Sequence, residues 1–450
     1  MKLGFAKHDI TPRVGVELCG FGPYLGRHSV GVHDALWARA MVLEIDGVRT
    51  VVIACDLIGL TADLTKHVCD VLLGATGIPS ERVMICCSHT HSGPCTGPYI
   101  GWGERDAPYL KTLPRRIAQA AIEALDRLQP ATLSHAEVPC EGIGVNREYE
   151  TFWAPYDEAM SPDWRPAKPE LTDTTCHVMV GKAEDGAVLG FLTYFGCHPV
   201  VCCDHSRVTH GDYPGVALNN VEQDHPGAVG LFLQGAQGDV NSAIGGRSQE
   251  ESLLALDALA GRFAGSVRAG LAEAQPIDVD RIISQDLPIQ FSCKEWGVDE
   301  LHARLDKIEK ELAEVDLNGE DGPEGCAVRM NTVRASGLRR LIQRAENGES
   351  LQPVITLRGL RIGPIALLGS PFETFQAIKN DVVEASSTPI PLVMSFVNDS
   401  RGYAPDRTAA ARGGYAADTG PLICAELPFT NIHEELAAGL IQLDAVLGER

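Results

Sequence analysis

The sequence contains no run of basic residues, and its charge is strongly one-sided. Its 450 residues include 38 Lys and Arg against 60 Asp and Glu, which gives a formal net charge of -22. Nucleic acids and anionic membrane surfaces are bound through Lys and Arg that neutralise phosphate groups. The composition therefore argues against a nucleic-acid partner and against attachment to an anionic membrane.

Long apolar segments are also missing. No apolar run approaches the roughly 18 residues that span a bilayer. Asp9 and Pro12 interrupt the start of the chain, where a secretion signal would carry its apolar region. We therefore expect a soluble, cytoplasmic protein without a membrane partner.

The 14 cysteines follow neither a disulfide framework nor a zinc-ribbon pattern. Paired Cys-x-x-Cys knuckles do not occur, and directly adjacent cysteines are typical of reduced thiols in a reducing compartment. One local cluster comprises Cys202, Cys203, His205 and His210. Ordinary structural roles are the leading interpretation, while a second metal site and a free-thiol enzyme that uses Cys202 or Cys203 stay open.

Apolar strand-like segments alternate with amphipathic helices along the chain. The predicted strands are 40–46, 50–56, 82–88, 131–138, 174–182, 188–196, 229–235, 279–290, 353–360, 363–368 and 391–397. The predicted helices are 61–77, 107–128, 249–273 and 432–447. Strand hairpins mixed with crossover helices predict an α/β fold, with mixed β-sheets flanked by helices, in a single domain over residues 1–450.

The composition changes between 293 and 350. Charges alternate at helical spacing on both sides of a Gly-, Asp- and Pro-rich break at 318–325. This pattern predicts a solvated helical hairpin inserted into the fold. It would act as a lid, as the contact of a homo-oligomer or, as the leading interpretation, as plain decoration.

Three predicted strands end in polar loops. The stretch "CSHTHSGP" places His89 and His91 after the strand at 82–88, and "GCHPVV" places His198 after the strand at 188–196. The third, "QGAQGDVN", follows the strand at 229–235. Strand ends are common places for site residues in α/β sheets. A lone His-x-His pair, however, fits both a metal site and hydrogen-bonded structural imidazoles.

Five motifs occur in one order over more than 300 residues: "SHTHSGP", "GCHPVV", "QGAQGDVN", "SPFETF" and "NDSRGY". Together with "GFAKHDITP", "GVHDALWARA", "IACDLIGL" and "GVNRE", they resemble the neutral/alkaline ceramidase family over nearly the whole chain. The resemblance implies a ceramidase-like catalytic domain that hydrolyses a C–N bond with the help of one zinc ion.

The resemblance also implies a ligand set for this zinc ion: His89, His198, Glu373 and Tyr403. Phe372 precedes the glutamate where the family usually has glycine. Two imidazoles, a carboxylate and a phenolate form an N2O2 set that suits Zn²⁺. Zinc lowers the pKa of bound water to roughly 7 and can polarise a carbonyl oxygen, as amide hydrolysis requires.

Further roles follow from the same resemblance. His91 becomes a catalytic or substrate-contacting residue, because the turn after it is expected to keep it from sharing a ligand position with His89. Arg147 and Tyr415 become substrate-binding residues. Asn241 stands where the family carries a serine that has been considered as a nucleophile. Asparagine cannot attack a carbonyl but can polarise one, so water activated by the metal is the expected nucleophile.

The expected substrate is a small soluble N-acyl or cyclic amide. The resembling enzymes carry a secretion signal and a further C-terminal domain that help them meet lipid, and neither pattern is found in this sequence. Two alternatives stay open: a zinc-dependent esterase or lactonase, and a non-catalytic homologue that binds metal.

Overall fold

The computed structural model describes residues 1–315 and 325–449. Its strands are, in chain order, β1 (Lys2–Asp9), β2 (Gly31–Val32), β3 (Trp37–Ile45), β4 (Val48–Cys55), β5 (Val83–Cys87), β6 (Gln129–Pro139), β7 (Gly144–Asn146), β8 (Thr175–Ala183), β9 (Val188–Phe195), β10 (Val208–Thr209), β11 (Val229–Gln234), β12 (Val240–Ser242), β13 (Gln275–Pro276), β14 (Ile282–Gln290), β15 (Val354–Ile362), β16 (Ile365–Gly369), β17 (Glu373–Thr374), β18 (Ile390–Met394) and β19 (Tyr403–Ala404). Its helices are α1 (Ala62–Thr76), α2 (Ala107–Asp126), α3 (Tyr156–Ala159), α4 (Asp212–Glu222), α5 (Gln249–Glu273), α6 (Val298–Ala313), α7 (Cys326–Glu346), α8 (Gln376–Ala385), α9 (Arg407–Arg412), α10 (Gly420–Ile423) and α11 (Ile432–Gly448).

Within the described residues, nine strands form a large mixed sheet. Eight of them follow the order β11-β9-β8-β6-β1-β3-β4-β5, and β13 pairs with β6 outside this order. The pairs β4–β5 and β9–β11 are parallel, whereas the other pairs are antiparallel. A second sheet has the order β14-β15-β16-β18. The predicted α/β class with mixed sheets is confirmed.

Alternating side chains place the two sheets face to face. Leu3 and Phe5 of β1 join a core shared with Leu360 and Leu367 of the second sheet, whereas Ala6 joins the core under α1 and α2. This is the two-residue period of a strand with both faces buried. Helices α4 and α5 cover the remainder of the large sheet, and α8 and α11 cover the outer face of the second sheet. The result is four layers: helices, sheet, sheet, helices.

Helix ends follow ordinary capping chemistry. The Thr61 side chain accepts a hydrogen bond from the Leu64 backbone N–H at the start of α1, and Gly77 ends that helix in the left-handed conformation. Ser248 and Glu251 form a capping box at the start of α5. Both helices occupy the ranges that the sequence predicts. None of the helices in the described ranges combines the length and apolar character needed to cross a membrane.

Two regions differ from the sequence-based expectation. The segment at 2–9 was not predicted as a strand, yet β1 pairs with both β3 and β6 in the middle of the large sheet. The Gly- and Tyr-rich segment at 398–421 was predicted as a loop. It contains β19, α9 and a π-helical turn at Tyr415–Thr419 that leads into α10. Packing against neighbouring elements, rather than local propensity, fixes such short pieces.

The two helices of the predicted insertion, α6 and α7, lie antiparallel. Arg339 of α7 pairs with Glu309 of α6 at 2.6 Å, and the Asn331 amide donates to Glu311 at 3.2 Å. Helix α7 also packs against α10 through Leu338, Leu341 and Leu422. The predicted break at 318–325 lies outside the described residues except for its last position.

Candidate active site

His89 lies two residues beyond the end of β5 in a strained conformation. Its φ angle is 68°, in the left-handed region that residues other than glycine seldom adopt. The ring stacks on Phe396 with centroids 4.1 Å apart, and its Nδ1–H donates to the Ile58 carbonyl at 2.6 Å. The proton is therefore held on Nδ1, and the lone pair of Nε2 is directed into the site.

His198 is oriented in the same way from the other half of the large sheet. It follows β9 and is fully buried. Its backbone N–H donates to the Val240 carbonyl at 2.9 Å, and its Nδ1–H donates to the Gln237 carbonyl at 2.6 Å. Its Nε2 lone pair is thus also directed into the site, and two imidazoles converge from distant parts of the chain.

Glu373 completes this group from the segment that follows β16. Its Oε2 lies 3.6 Å from the Nε2 of His89 and 2.9 Å from the Nε2 of His198. Two nitrogen lone pairs that face a carboxylate are stabilised by a cation between them. Two imidazoles and a carboxylate are also ligands that Zn²⁺ accepts. The residues present therefore fit a divalent metal ion.

Burial controls the protonation of these three groups. It lowers the pKa of His89 to about 4 and the pKa of His198 well below its ordinary value. It raises the pKa of Glu373, an effect that the charges of His89 and Arg147 oppose. Both imidazoles are therefore neutral at physiological pH, which is the form that binds metals.

His91 shares the site but differs in its surroundings. One ring nitrogen of each of His89, His91 and His198 lies within 4.8 Å of the others. The sequence-based expectation separates His91 from the ligand positions, but the left-handed turn at His89 brings its ring alongside. Among the described residues neither ring nitrogen of His91 has a hydrogen-bond partner, although both are buried. His91 therefore lacks the orienting acceptor that His89 and His198 each have.

Arg147, Asn241 and Tyr403 form a polar layer beside this group. The Arg147 guanidinium donates to the Gly238 carbonyl at 2.6 Å and to Oδ1 of Asn241 at 3.3 Å, and it lies 5.3 Å from the centre of the Tyr403 ring. The Asn241 Nδ2 donates to the Phe152 carbonyl at 3.2 Å. Burial opposes the charge on Arg147, yet Tyr403 and Glu373 raise its pKa overall.

Tyr403 stands directly opposite Glu373, because β17 and β19 pair in parallel. Burial and the charge of Glu373 raise its pKa, so the phenol is neutral without a cation beside it. Tyr415 is 44% exposed, and its ring centre lies 5.5 Å from that of Tyr403. Both tyrosines of the 398–421 segment therefore reach the site.

A pocket opens above these groups. It encloses about 390 Å³ of atom-free space, including its open mouth. His89, His91, Glu373 and both tyrosines line its polar side. Its apolar side is formed by Ile58, Trp102 and Ile423 together with Cys19 and Cys424. The arrangement presents a polar group of metal-ligand type at one side of a small apolar cleft.

The cysteine and histidine cluster does not form a second site of this kind. Burial raises the pKa of Cys202, and the Cys203 thiol donates to the Arg247 carbonyl at 2.6 Å. The His205 side chain is 79% exposed and lies next to Asp204. Within the described ranges these residues do not bring three ligand atoms together. A buried Cys202 with a raised pKa is unsuited to be a nucleophile, because the thiolate is the reactive form.

Several contributions to the site carry no side-chain motif. The carbonyl groups of Ile58 and Gln237 orient the two imidazoles, and Phe396 supports His89 from a third part of the chain. Backbone acceptors have no signature in a sequence. The φ of 56° at Phe396 is likewise visible only in the folded chain.

Comparison with known proteins places these observations in a family. Residues 1–257, more than half of the chain, match the family model described as neutral/alkaline non-lysosomal ceramidase, N-terminal. The fold is similar to that of the neutral ceramidase from Pseudomonas aeruginosa, with a TM-score of 0.72, 20% identity, and coverage of 99% of this chain and 75% of that one. A structure described as ceramidase complexed with C2 matches with the same TM-score and coverage at 19% identity.

Proposed function

Because this chain belongs to the neutral/alkaline non-lysosomal ceramidase family, whose members hydrolyse an amide C–N bond, we propose that it is a zinc-dependent amide hydrolase. One observation carries the proposal: the Nε2 atoms of His89 and His198 both face the Glu373 carboxylate, at 3.6 and 2.9 Å. This pattern, with each Nδ1–H bonded to a carbonyl, is typical of metal-binding histidines.

The metal ligands in this proposal are His89, His198, Glu373 and Tyr403. A divalent cation held by them supplies a Lewis acid that polarises the amide carbonyl and lowers the pKa of water. The neighbouring Arg147 supports ionisation of Tyr403, because its charge opposes the effect of burial on the phenol. One zinc ion per pocket satisfies this ligand set.

His91 moves the proton in this mechanism. Its ring nitrogens have no acceptor or donor of their own among the described residues. The imidazole accepts a proton from the attacking water and returns it to the amide nitrogen as the C–N bond breaks. The products are a carboxylic acid and an amine, so the proton from water is accounted for.

Water, rather than a side chain, is the nucleophile. The residue at the position of the family's serine is Asn241, whose oxygen accepts from Arg147 and whose nitrogen donates to the Phe152 carbonyl. These contacts fix the amide, and the second N–H of the amide group remains able to polarise a substrate oxygen. Tyr415, at the mouth of the pocket, contacts the remainder of the substrate.

The substrate in this proposal is a small N-acyl or cyclic amide. A volume of about 390 Å³ lies near the lower end of the range, about 300–1,000 Å³, that ligand pockets occupy. Ile58, Trp102 and Ile423 give the acyl group an apolar surface. Long-chain ceramide is the comparison substrate that tests this size limit.

Chelation and metal restoration test the proposal. The chelator-treated protein should lose amide hydrolysis and regain it with Zn²⁺. His89→Ala should remove one zinc equivalent and the activity, and the exposed His205→Ala serves as the matched control. A panel of short-chain N-acyl amides, cyclic amides, ceramide and the matched esters defines the substrate.

Each alternative predicts a different result. Hydrolysis of the esters alone would replace the amidase by an esterase or lactonase. Zinc binding without turnover of any substrate in the panel would indicate a non-catalytic homologue. Full activity in His89→Ala would overturn the metal-dependent mechanism altogether.

A further inference from the structure

A second group of metal-ligand side chains lies outside the pocket. His135 and Glu137 on β6 and His177 on the neighbouring strand β8 each offer one ligand atom, and these atoms lie within 4.8 Å of one another. The Nε2 of His135 is 3.2 Å from the Nδ1 of His177, which is 3.7 Å from Oε1 of Glu137. The proposed function uses none of these residues.

The register of the sheet explains why these side chains converge. Glu137 is directly paired with His177 across the antiparallel strands β6 and β8, and His135 is two residues from Glu137 on the same face. Leu133 and Met179 of the same face belong to the core between the two sheets. The three side chains therefore stand where this core ends and solvent begins.

The distances suit a metal ion of small radius. Ligand bonds of about 2.0–2.2 Å at tetrahedral angles place neighbouring ligand atoms about 3.3–3.5 Å apart. The two measured distances, 3.2 and 3.7 Å, bracket this value. The backbone of two paired strands holds the ligands in this position, so little rearrangement is needed to accept an ion.

Exposure and protonation also suit metal binding. The Glu137 side chain is 55% exposed, and that of His177 is 15% exposed, which leaves a path from solvent to the ligand atoms. Burial lowers the pKa of His177 to about 4 and lowers that of His135 as well. Two neutral imidazoles offer lone pairs at physiological pH. Without a metal, one of the facing nitrogens donates a hydrogen bond to the other.

From this geometry we propose that His135, Glu137 and His177 form a second site for a divalent transition-metal ion. Two imidazoles and one carboxylate favour Zn²⁺ and its neighbours Ni²⁺ and Cu²⁺ over Mg²⁺ and Ca²⁺, which prefer oxygen ligands. Three protein ligands leave the remaining coordination positions to water. The bound ion links β6 to β8 at the edge of the core.

Zinc stoichiometry tests this proposal on the full-length protein. Samples stripped with chelator are dialysed against Zn²⁺, and the metal bound per chain is measured by mass spectrometry. The unmodified protein should bind about two equivalents. His177→Gln should bind about one equivalent less, and the exposed His205→Gln should bind as much as the unmodified protein. An unchanged stoichiometry in His177→Gln would overturn the proposal.

A second variant guards against misfolding. Glu137→Gln changes an exposed side chain, so it should fold normally and weaken zinc binding at this site by about tenfold or more, as losing an anionic ligand predicts. Isothermal titration calorimetry measures the affinity, and an unchanged value in Glu137→Gln would contradict the ligand set.

The pocket variant separates the two sites. His89→Ala should bind one equivalent less, and the double variant His89→Ala/His177→Gln should bind none. If the pocket binds no metal, the proposed mechanism fails, but His177→Gln still loses the one remaining equivalent. The two proposals therefore fail in different ways.

Discussion

His89 and His91 stand side by side in the chain, but their environments assign them different tasks. His89 donates its Nδ1–H to the Ile58 carbonyl, as a metal ligand does, whereas both nitrogens of His91 lack partners within the described residues. A ligand needs a fixed ring with one free lone pair. A proton carrier needs an imidazole that is able to exchange its proton with the reactants.

We therefore expect His91→Gln to keep its zinc and lose its activity. Removing a general acid and base lowers the amide turnover number by about 10²–10⁴-fold. Zinc content, measured by mass spectrometry, should equal that of the unmodified protein, whereas His198→Ala should lose one equivalent. Loss of the same equivalent in His91→Gln would show instead that His91 is a ligand.

Asp212 gives a prediction about pH and stability. It is fully buried, its carboxylate accepts from the Tyr213 backbone N–H at 2.7 Å, and burial raises its pKa to about 7. An unfolded chain releases this proton near pH 4, so the native state holds more protons between about pH 4 and 7. The stability that this group supports is full below that window and is lost as pH rises through it.

Asp212→Asn should remove this pH dependence. Asparagine keeps an acceptor oxygen and tolerates the φ of 54° at this position. The free energy of unfolding of the unmodified protein should fall with this group's ionisation by a few kcal/mol, on the order given by about 1.4 kcal/mol per pKa unit. Urea denaturation at pH 4.5 and 7.5 measures it. The exposed Asp185→Asn is the control, and equal slopes in Asp212→Asn and the unmodified protein would contradict the account.

Motifs identify the side chains of the site, but they do not fix its geometry. The motif around Glu373 and the histidine motifs of His89 and His198 lie far apart in sequence, and the fold brings them within 3.6 Å. The orientation of the rings depends on backbone carbonyls and on the left-handed turn at His89. These features arise only when the strands have paired.

At the scale of elements, α7 supports one wall of the pocket. Gly337 of α7 lies against the Leu422 carbonyl of α10, with no room for a Cβ atom. The Arg334 guanidinium donates to the Thr419 hydroxyl at 2.9 Å. The next residue after Leu422, Ile423, lines the pocket. The inserted helices therefore contact the substrate-facing wall rather than standing apart from it.

Gly337→Ala should displace this wall. The added methyl group collides with backbone, and overpacking of this kind costs about 1–3 kcal/mol. We expect a several-fold rise in KM for the amide substrate with zinc content unchanged, measured by steady-state kinetics. Gly74→Ala on α1 is the matched control, because its Cβ meets open space and should stabilise the helix by about 1 kcal/mol. An unchanged KM in Gly337→Ala would remove the supporting role.

Long elements with clear signals were predictable, and short ones were not. The ranges of α1 and α5 follow from their caps and their apolar spacing. The centre of the large sheet includes β1, which the sequence analysis missed because its charged ends obscure a buried middle. Helices α9 and α10 have six and four residues, lengths that depend on tertiary contacts for stability.

At the scale of the whole molecule, the metal ligands join separate layers. His89 follows β5 and His198 follows β9 in the large sheet, whereas Glu373 follows β16 in the second sheet. A metal ion bound by all three therefore links the two sheets that pack face to face. The energy of binding appears as resistance to unfolding, because the unfolded chain has no formed site.

Zinc should therefore raise the melting temperature of the protein. At a free concentration of 100 times Kd, binding adds about 2.7 kcal/mol, which corresponds to a few degrees for a chain of this size. Differential scanning calorimetry of His177→Gln isolates the contribution of the pocket. The double variant His89→Ala/His177→Gln should show no increase, and an equal increase in that variant would place the stabilising ion elsewhere.

The position of zinc in a crystal tests the central claim most directly. Diffraction data collected on both sides of the zinc absorption edge should give an anomalous peak about 2.0–2.2 Å from Nε2 of His89, Nε2 of His198 and a carboxylate oxygen of Glu373. The Tyr403 oxygen should complete the ligand set. A zinc-soaked crystal without a peak among these side chains would contradict the account.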